Sequence, residues 1–131
     1  MVFLEKLQHA IEKEWAFYSL YKELEFQTEE PLFKEVIHHA MEEEKEHYEL
    51  FQYVHHLITG RYYQLKKEPI MYSSFEEGIE LALKGELEAV EMYKEMLFEI
   101  PNDQAHYPLF RAMIDELEHS TRILTMYSSF V

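Results

Sequence analysis

The chain contains no cysteine, so disulfides, thiolate metal ligands, iron–sulfur clusters and cysteine redox chemistry are all excluded. Glycine and proline are scarce, three and four residues in 131. The prolines and Gly60 fall where helices should start, stop or connect, whereas Gly78 and Gly85 sit inside a helical pattern that each weakens slightly. Basic residues are also few: 12 Lys and Arg against 26 Asp and Glu leave a net charge of −14. That balance argues against nucleic acid or an anionic membrane surface as a partner, since both need a basic patch. No apolar run reaches 18 residues, so no membrane-spanning helix is expected. Residues 1–6 lack a basic stretch followed by an apolar one, so no signal peptide is read and a soluble, cytoplasmic protein is the expectation.

Hydrophobic residues, by contrast, make up 47% of the chain and aromatics 15%. That is enough apolar material for the core of a single domain spanning residues 1–131. Its periodicity is helical throughout, and no strand pattern competes. One segment carries Phe33, Ile37, Ala40, Phe51, Val54 and Ile58, whose steps of three and four mark one face of a helix. Similar stripes run through Leu4, Leu7, Ile11, Tyr18 and Tyr21, through Phe75, Ile79, Ala82, Val90, Tyr93 and Leu97, and through Leu109, Met113, Ile123 and Tyr127. Helices are predicted over about 2–27, 31–59, 74–100 and 108–127. Pro31 suits a first helical turn, Gly60 a C-cap, and Ser73 and Ser74 with Glu76 and Glu77 a capping box.

Each stripe is interrupted near its middle by an acid. Glu14, Glu44 and His47 recur 72 positions later as Glu86, Glu116 and His119. Each half therefore reads Glu, 29 intervening residues, then Glu-x-x-His. The connections within each half are short, so each half is an antiparallel hairpin, about 2–59 and 74–127. The middle connection of about 13 residues can reach ~40 Å when extended, the length of a long helix. It can thus run the length of the bundle and set the third helix parallel to the second. The fold expected is all-α: an antiparallel four-helix bundle with a long crossover between helices 2 and 3. A pseudo-two-fold axis would relate the hairpins. A second repeat, Met-Tyr-Ser-Ser-Phe at 71–75 and 126–130, is offset by 55 and does not fit this duplication.

Four carboxylates and two imidazoles on core-facing stripes form the ligand set of a dinuclear metal site. Glu-x-x-His places both side chains on one helix face about a turn apart. Carboxylates bridge hard ions, and imidazole suits Fe, Mn and Zn. Glu44 and Glu116 are assigned as bridges, Glu14 and His47 as terminal ligands of one metal, and Glu86 and His119 of the other. Each ion then keeps room for an exogenous ligand such as water, peroxide or O₂. The competing reading, a metal-free charged core, would bury several carboxylates at a penalty of several kcal/mol per ion, with no Lys or Arg on the stripes to pair them. Glu43 and Asp115, each preceding a ligand Glu, either lie at the surface or accept a hydrogen bond from the far nitrogen of the opposite hairpin's His. Tyr21 and Tyr93 either pack in the core, hydrogen-bond a ligand carboxylate or relay electrons. Glu43-x-x-Glu46, one residue out of register, reads as solvated face. Trp15 is read as a core or interface residue. His9, His38, His39, His55, His56 and His106 complete no ligand set and read as surface or satisfied core histidines.

With these residues the chain resembles the ferritin-like di-iron carboxylate proteins over nearly its whole length. Glu42-Glu-Glu-Lys-Glu-His47 and Glu86-Leu-Glu-Ala-Val-Glu-Met-Tyr93 look most like the rubrerythrin branch. That resemblance implies a non-haem di-iron centre, two Fe ions or Mn in their place, held by Glu14, Glu44, His47, Glu86, Glu116 and His119. It implies an oxidoreductase that reduces hydrogen peroxide or O₂, and a homodimer. Two departures matter. The family's rubredoxin-like module with paired Cys-x-x-Cys motifs is missing, so electrons would come from a separate donor protein. Ala89 stands where that branch carries a further Glu, which removes the ligand exchange attributed to it. The six-ligand set is as close to bacterioferritin. An iron-oxidising and iron-storing protein, a di-iron hydroxylase and a non-catalytic helical bundle are the alternatives.

Overall fold

A computed structural model describes residues 2–101 and 103–130. Four helices dominate it: α1 (Phe3–Glu25), α2 (Pro31–Thr59), α3 (Phe75–Leu97) and α4 (His106–Ser128). A 3₁₀ turn, Asp103–Ala105, leads into α4, and the described residues contain no strand. None of the described helices is long and apolar enough to cross a membrane.

The helix ends follow the expected chemistry. The Glu30 side chain accepts from the Leu32 N–H at 3.0 Å, with Pro31 at the first helical position. Gly60 ends α2 at φ 81°, a left-handed conformation that glycine adopts without a Cβ penalty. Ser74 caps α3 by accepting from the Glu77 N–H at 3.1 Å. The Glu77 carboxylate reaches back one residue further than a simple capping box, to the Ser73 N–H at 2.9 Å. Two boundaries differ from expectation. α3 stops at Leu97, several residues before Pro101, because the N–H groups of Phe98 and Glu99 tighten onto Glu95 and Met96 carbonyls. The loop expected at 102–107 is shorter, with α4 already running at His106; Asn102 lies outside the described residues.

Contacts far apart in sequence give the topology. Gln8 meets His55 at 3.2 Å, and Lys34 reaches the Glu25 carbonyl at 2.9 Å, so α1 and α2 are antiparallel. Lys6 bonds Glu99 at 2.7 Å while Gly78 lies against Leu24, so α3 is antiparallel to α1 and hence parallel to α2. Arg111 bonds Glu46 and His119 bonds Glu43, which sets α4 antiparallel to α2. The crossover, residues 60–74, runs along α1. Tyr63 bonds Gln52 and Glu12 near its start, and Tyr72 bonds Glu23 and Gln27 near its end.

The glycines inside α3 have a steric reason. A Cβ on Gly85 would lie 1.8 Å from Phe17 Cζ, and one on Gly78 would lie 2.7 Å from Leu24 Cδ2. α1 therefore packs its large side chains directly onto the α3 backbone. The core splits into two apolar clusters. One gathers Leu7, Ile11, Phe51, Tyr93, Met96 and Leu109; the other gathers Leu20, Tyr21, Leu24, Ile37, Ile79 and Ile123. The 72-residue repeat exchanges them, for Tyr21 belongs to one and Tyr93 to the other. The repeated Met-Tyr-Ser-Ser-Phe segments meet at one end of the bundle. Phe75 and Phe130 are 5.9 Å apart edge to face, and both belong to an aromatic group with Phe33 and Tyr127. One copy starts α3 and the other ends α4.

Candidate metal centre

Between the two apolar clusters lies a polar layer. Glu14, Glu44, His47, Glu86, Glu116 and His119 are each at most 1% exposed. A helix contributes each: Glu14 from α1, Glu44 and His47 from α2, Glu86 from α3, Glu116 and His119 from α4. Every one sits mid-helix on the buried face, as the stripes require.

The six side chains converge as two groups that share members. Donor atoms of Glu14, Glu44, His47 and Glu116 lie within 4.8 Å of one another, as do those of Glu44, Glu86, Glu116 and His119. Glu44 and Glu116 belong to both, the placement that bridging carboxylates need. His47 Nδ1 is 3.4 Å from Glu14 Oε2 and 3.2 Å from Glu116 Oε1. His119 Nδ1 is 3.3 Å from Glu44 Oε1 and 3.5 Å from Glu86 Oε2. Donors held ~2.0–2.2 Å from a shared first-row ion lie roughly 3 Å apart, close to these separations.

One atom of each residue is left over. Glu14 Oε2, Glu44 Oε1, His47 Nδ1, Glu86 Oε2, Glu116 Oε1 and His119 Nδ1 are buried and lack a hydrogen-bond partner. A buried polar atom without a partner costs about 1–3 kcal/mol, more when charged. Six such atoms aimed at one centre are a lining for cations. Oxygen and imidazole donors without thiolate suit first-row cations such as Fe, Mn and Zn, so the residues present fit metal binding.

The remaining atoms are held in place across the bundle. His47 Nε2 donates to Asp115 Oδ2 at 2.7 Å, and His119 Nε2 donates to Glu43 Oε1 at 2.9 Å. Each imidazole is thus oriented with Nδ1 inward. Tyr21 donates to Glu86 Oε1 at 2.5 Å, and Tyr93 donates to Glu14 Oε1. Both pairs obey the 72-residue symmetry and both join one hairpin to the other. Glu43 and Asp115 thus orient the histidines, and the two tyrosines pack in the core while donating to Glu86 and Glu14. Glu43 is accordingly not part of the solvated face expected for Glu43-x-x-Glu46. Glu46 is, exposed and paired with Arg111.

Two neighbours escaped the sequence reading. His39 Nε2 bonds Glu43 at 2.5 Å, and Arg111 Nε lies 3.4 Å from Asp115. Each stands four residues before the carboxylate it contacts and 72 from the other, a signal the repeat register carries. The other histidines behave as expected. His55 is buried and bonds the Arg61 carbonyl at 2.7 Å, and His38 is exposed between Glu25 and Glu42. Trp15 and Tyr18 line a surface groove with Tyr48.

Protons redistribute within so charged a cluster. Burial, aided by the charges of Glu14 and Glu86, pushes the Glu44 carboxyl well above its ordinary range. Burial also raises Glu86, against the opposing pull of His119. For His47 burial favours the neutral ring, but the Glu14 charge and the Asp115 hydrogen bond outweigh it and raise the pKa to about 10. For His119 burial is likewise outweighed, by Glu43 and Glu86, and the pKa rises to about 9. Asp115 falls to about 2, since the His47 hydrogen bond overcomes its own desolvation. Both imidazoles therefore hold a second ring proton at neutral pH, and a cation at Nδ1 would have to displace it.

No protein-family model matches this sequence, and no curated protein does. Among solved structures, a dodecameric thioferritin, the bacterioferritin-related protein of Bacteroides fragilis, superposes with a TM-score of 0.81 at 15% identity. The match covers 97% of this chain and 84% of that one. The shared property is the fold: a ferritin-like four-helix bundle.

Proposed function

We propose that the chain is a dinuclear non-haem metal protein, with Glu14, Glu44, His47, Glu86, Glu116 and His119 as ligands of two iron ions. The observation that carries this reading is the set of six buried, partnerless donor atoms facing one centre. Two Fe(II) ions held there can each give up one electron, supplying the pair needed to reduce peroxide to water or to begin reducing O₂. Manganese and zinc also suit the donor set, zinc without redox chemistry.

The chain's own residues have definite tasks. Glu44 and Glu116, common to both groups, would hold both ions. Glu14 with His47 and Glu86 with His119 would complete the two sides. Tyr21 and Tyr93 fix one oxygen of each terminal carboxylate, leaving the other free for a cation. Asp115 and Glu43 keep Nε2 of each histidine protonated, so Nδ1 must release its proton for ligation. The apolar clusters on either side exclude bulk water.

Metal bound there would supply electrons to peroxide or O₂, and the fate of the oxidised metal would separate two readings. In the rubrerythrin-like reading a separate electron-donor protein restores the reduced state and peroxide is turned over. In the iron-handling reading Fe(II) is itself the substrate and the oxidised iron moves on. The second is favoured by the structural likeness to a thioferritin.

The test is anaerobic loading with Fe(II), elemental analysis, then rapid mixing with peroxide or O₂, beside a Glu44→Ala, Glu116→Ala variant. About two iron per chain, oxidised rapidly in the wild type and not retained in the variant, is the expected result. Wild type that binds no iron would overturn the proposal. Repeated turnover with an added reductant supports the peroxidase reading; accumulation of Fe(III) well beyond two per chain supports iron handling.

A further inference from the structure

The duplication offers an internal control for the outer surface. Positions 72 residues apart occupy equivalent places in the two hairpins, yet one set is polar and the other is not. On α2 the outward positions are Glu35, His38, Glu42, Lys45 and Glu49, all exposed. Their counterparts on α4 are Tyr107, Phe110, Ile114, Leu117 and Thr121, and the stripe goes on to Leu124. The spacing is three and four throughout, so these residues share one line along the helix opposite its buried face. The apolar members are 63, 47, 39, 45 and 54% exposed. Nothing in a four-helix bundle requires this, as α2 shows.

We infer that the outward face of α4 is a contact surface for a second copy of this chain, α4 against α4 in antiparallel register about a two-fold axis. A straight apolar line is complementary to a second helix laid beside it, and the same face on another copy supplies one. The area is of the right order. Leu87 of α3, 50% exposed, is the repeat counterpart of Trp15, which shares a groove with Lys45 and Glu49, the counterparts of Leu117 and Thr121; with it the stripe presents roughly 550–600 Å² of apolar surface, against about 800 Å² per partner for a stable interface. Small Thr121 and the stems of Arg111 and Arg122 lie in position to provide much of the remainder. Charge agrees as well. Two chains of net charge −14 repel, but the charged flank of this stripe consists of Arg111, Asp115, Glu118 and Arg122, which sum to zero. Two copies can therefore approach along α4 without opposing acidic faces, whereas the α2 face presents Glu35, Glu42 and Glu49 against Lys45 alone. This inference is independent of the metal assignment.

The test measures mass in solution and contact directly. Light scattering on the wild type, an Ile114→Glu, Leu117→Glu variant and a Glu42→Ala, Lys45→Ala control should give a dimer or a multiple of it, half that mass or less, and the wild-type mass, with helical circular dichroism retained in all three. A wild type that is monomeric at tens of micromolar, or a double variant of unchanged mass, overturns the proposal. Because the chain lacks cysteine, single cysteines test the geometry without background and without adding charge to the stripe. Ile114→Cys, Leu117→Cys and Thr121→Cys are oxidised in turn. An antiparallel pair brings at least one of these positions beside its own copy, giving a disulfide-linked dimer. Failure of all three to cross-link overturns the α4–α4 arrangement.

Discussion

Stripped of metal, this protein should lose stability as the pH is raised from 7 to 9. In the folded chain His47 keeps its proton up to about 10 and His119 up to about 9, whereas an unfolded histidine releases it near 6.5. Between those limits the folded state binds protons that the unfolded state has lost, so the free energy of unfolding falls with pH. The contribution is full below 6.5, declines through the window, and is gone above about 10. A difference of one bound proton is worth about 1.4 kcal/mol per pH unit, so two histidines over two units give ~5 kcal/mol at most. For a chain of this length that corresponds to a fall in melting temperature of order 10–20 °C. Thermal melts by circular dichroism after dialysis against chelator, at pH 7, 8 and 9, would measure it. The same series with Fe(II) or Mn(II) bound should be nearly flat, since the cations have displaced the protons from Nδ1, and apparent metal affinity should rise with pH. A metal-free melting temperature that stays constant or rises from pH 7 to 9 would refute the assignment of these protons.

Three further perturbations test other parts of the arrangement. Gly85→Ala would set a Cβ 1.8 Å from Phe17 Cζ; denaturant unfolding should show a net loss of ~1–2 kcal/mol, overpacking outweighing the helix propensity gained. Tyr93→Phe leaves Glu14 Oε1 without its donor, and should destabilise the metal-free protein by ~1–3 kcal/mol while the metal-loaded protein still forms. Asp115→Asn replaces the charged partner of His47 and should weaken metal binding about 10–100-fold by titration calorimetry. Glu43→Gln should do the same through His119.

Most of the helices and all of the candidate ligands were legible in the amino-acid order because they rest on local geometry. A helix repeats every three to four residues, so a stripe of Ile, Leu and Phe states which face is buried, and a Glu interrupting that stripe must be buried with it. The 72-residue repeat adds that there are two such hairpins. Pro31, Ser74 and Gly60 act on their immediate neighbours, and their roles too could be read directly. Helix ends without such a residue could not: α3 stops at Leu97 with only carbonyl contacts to end it.

What the tertiary structure alone decided depends on distances between helices remote in sequence. That Tyr21 reaches Glu86 and Tyr93 reaches Glu14 follows from the register of α1 against α3. That Asp115 and Glu43 face the histidines rather than solvent follows from the register of α2 against α4. Gly85 looked like a weak point in a helix until the Phe17 ring was found against its backbone. That the line from Tyr107 to Leu124 faces outward follows from α4 burying its opposite face against the bundle. In each case the residue's own periodicity is the same whichever element stands opposite, and only packing determines what it meets.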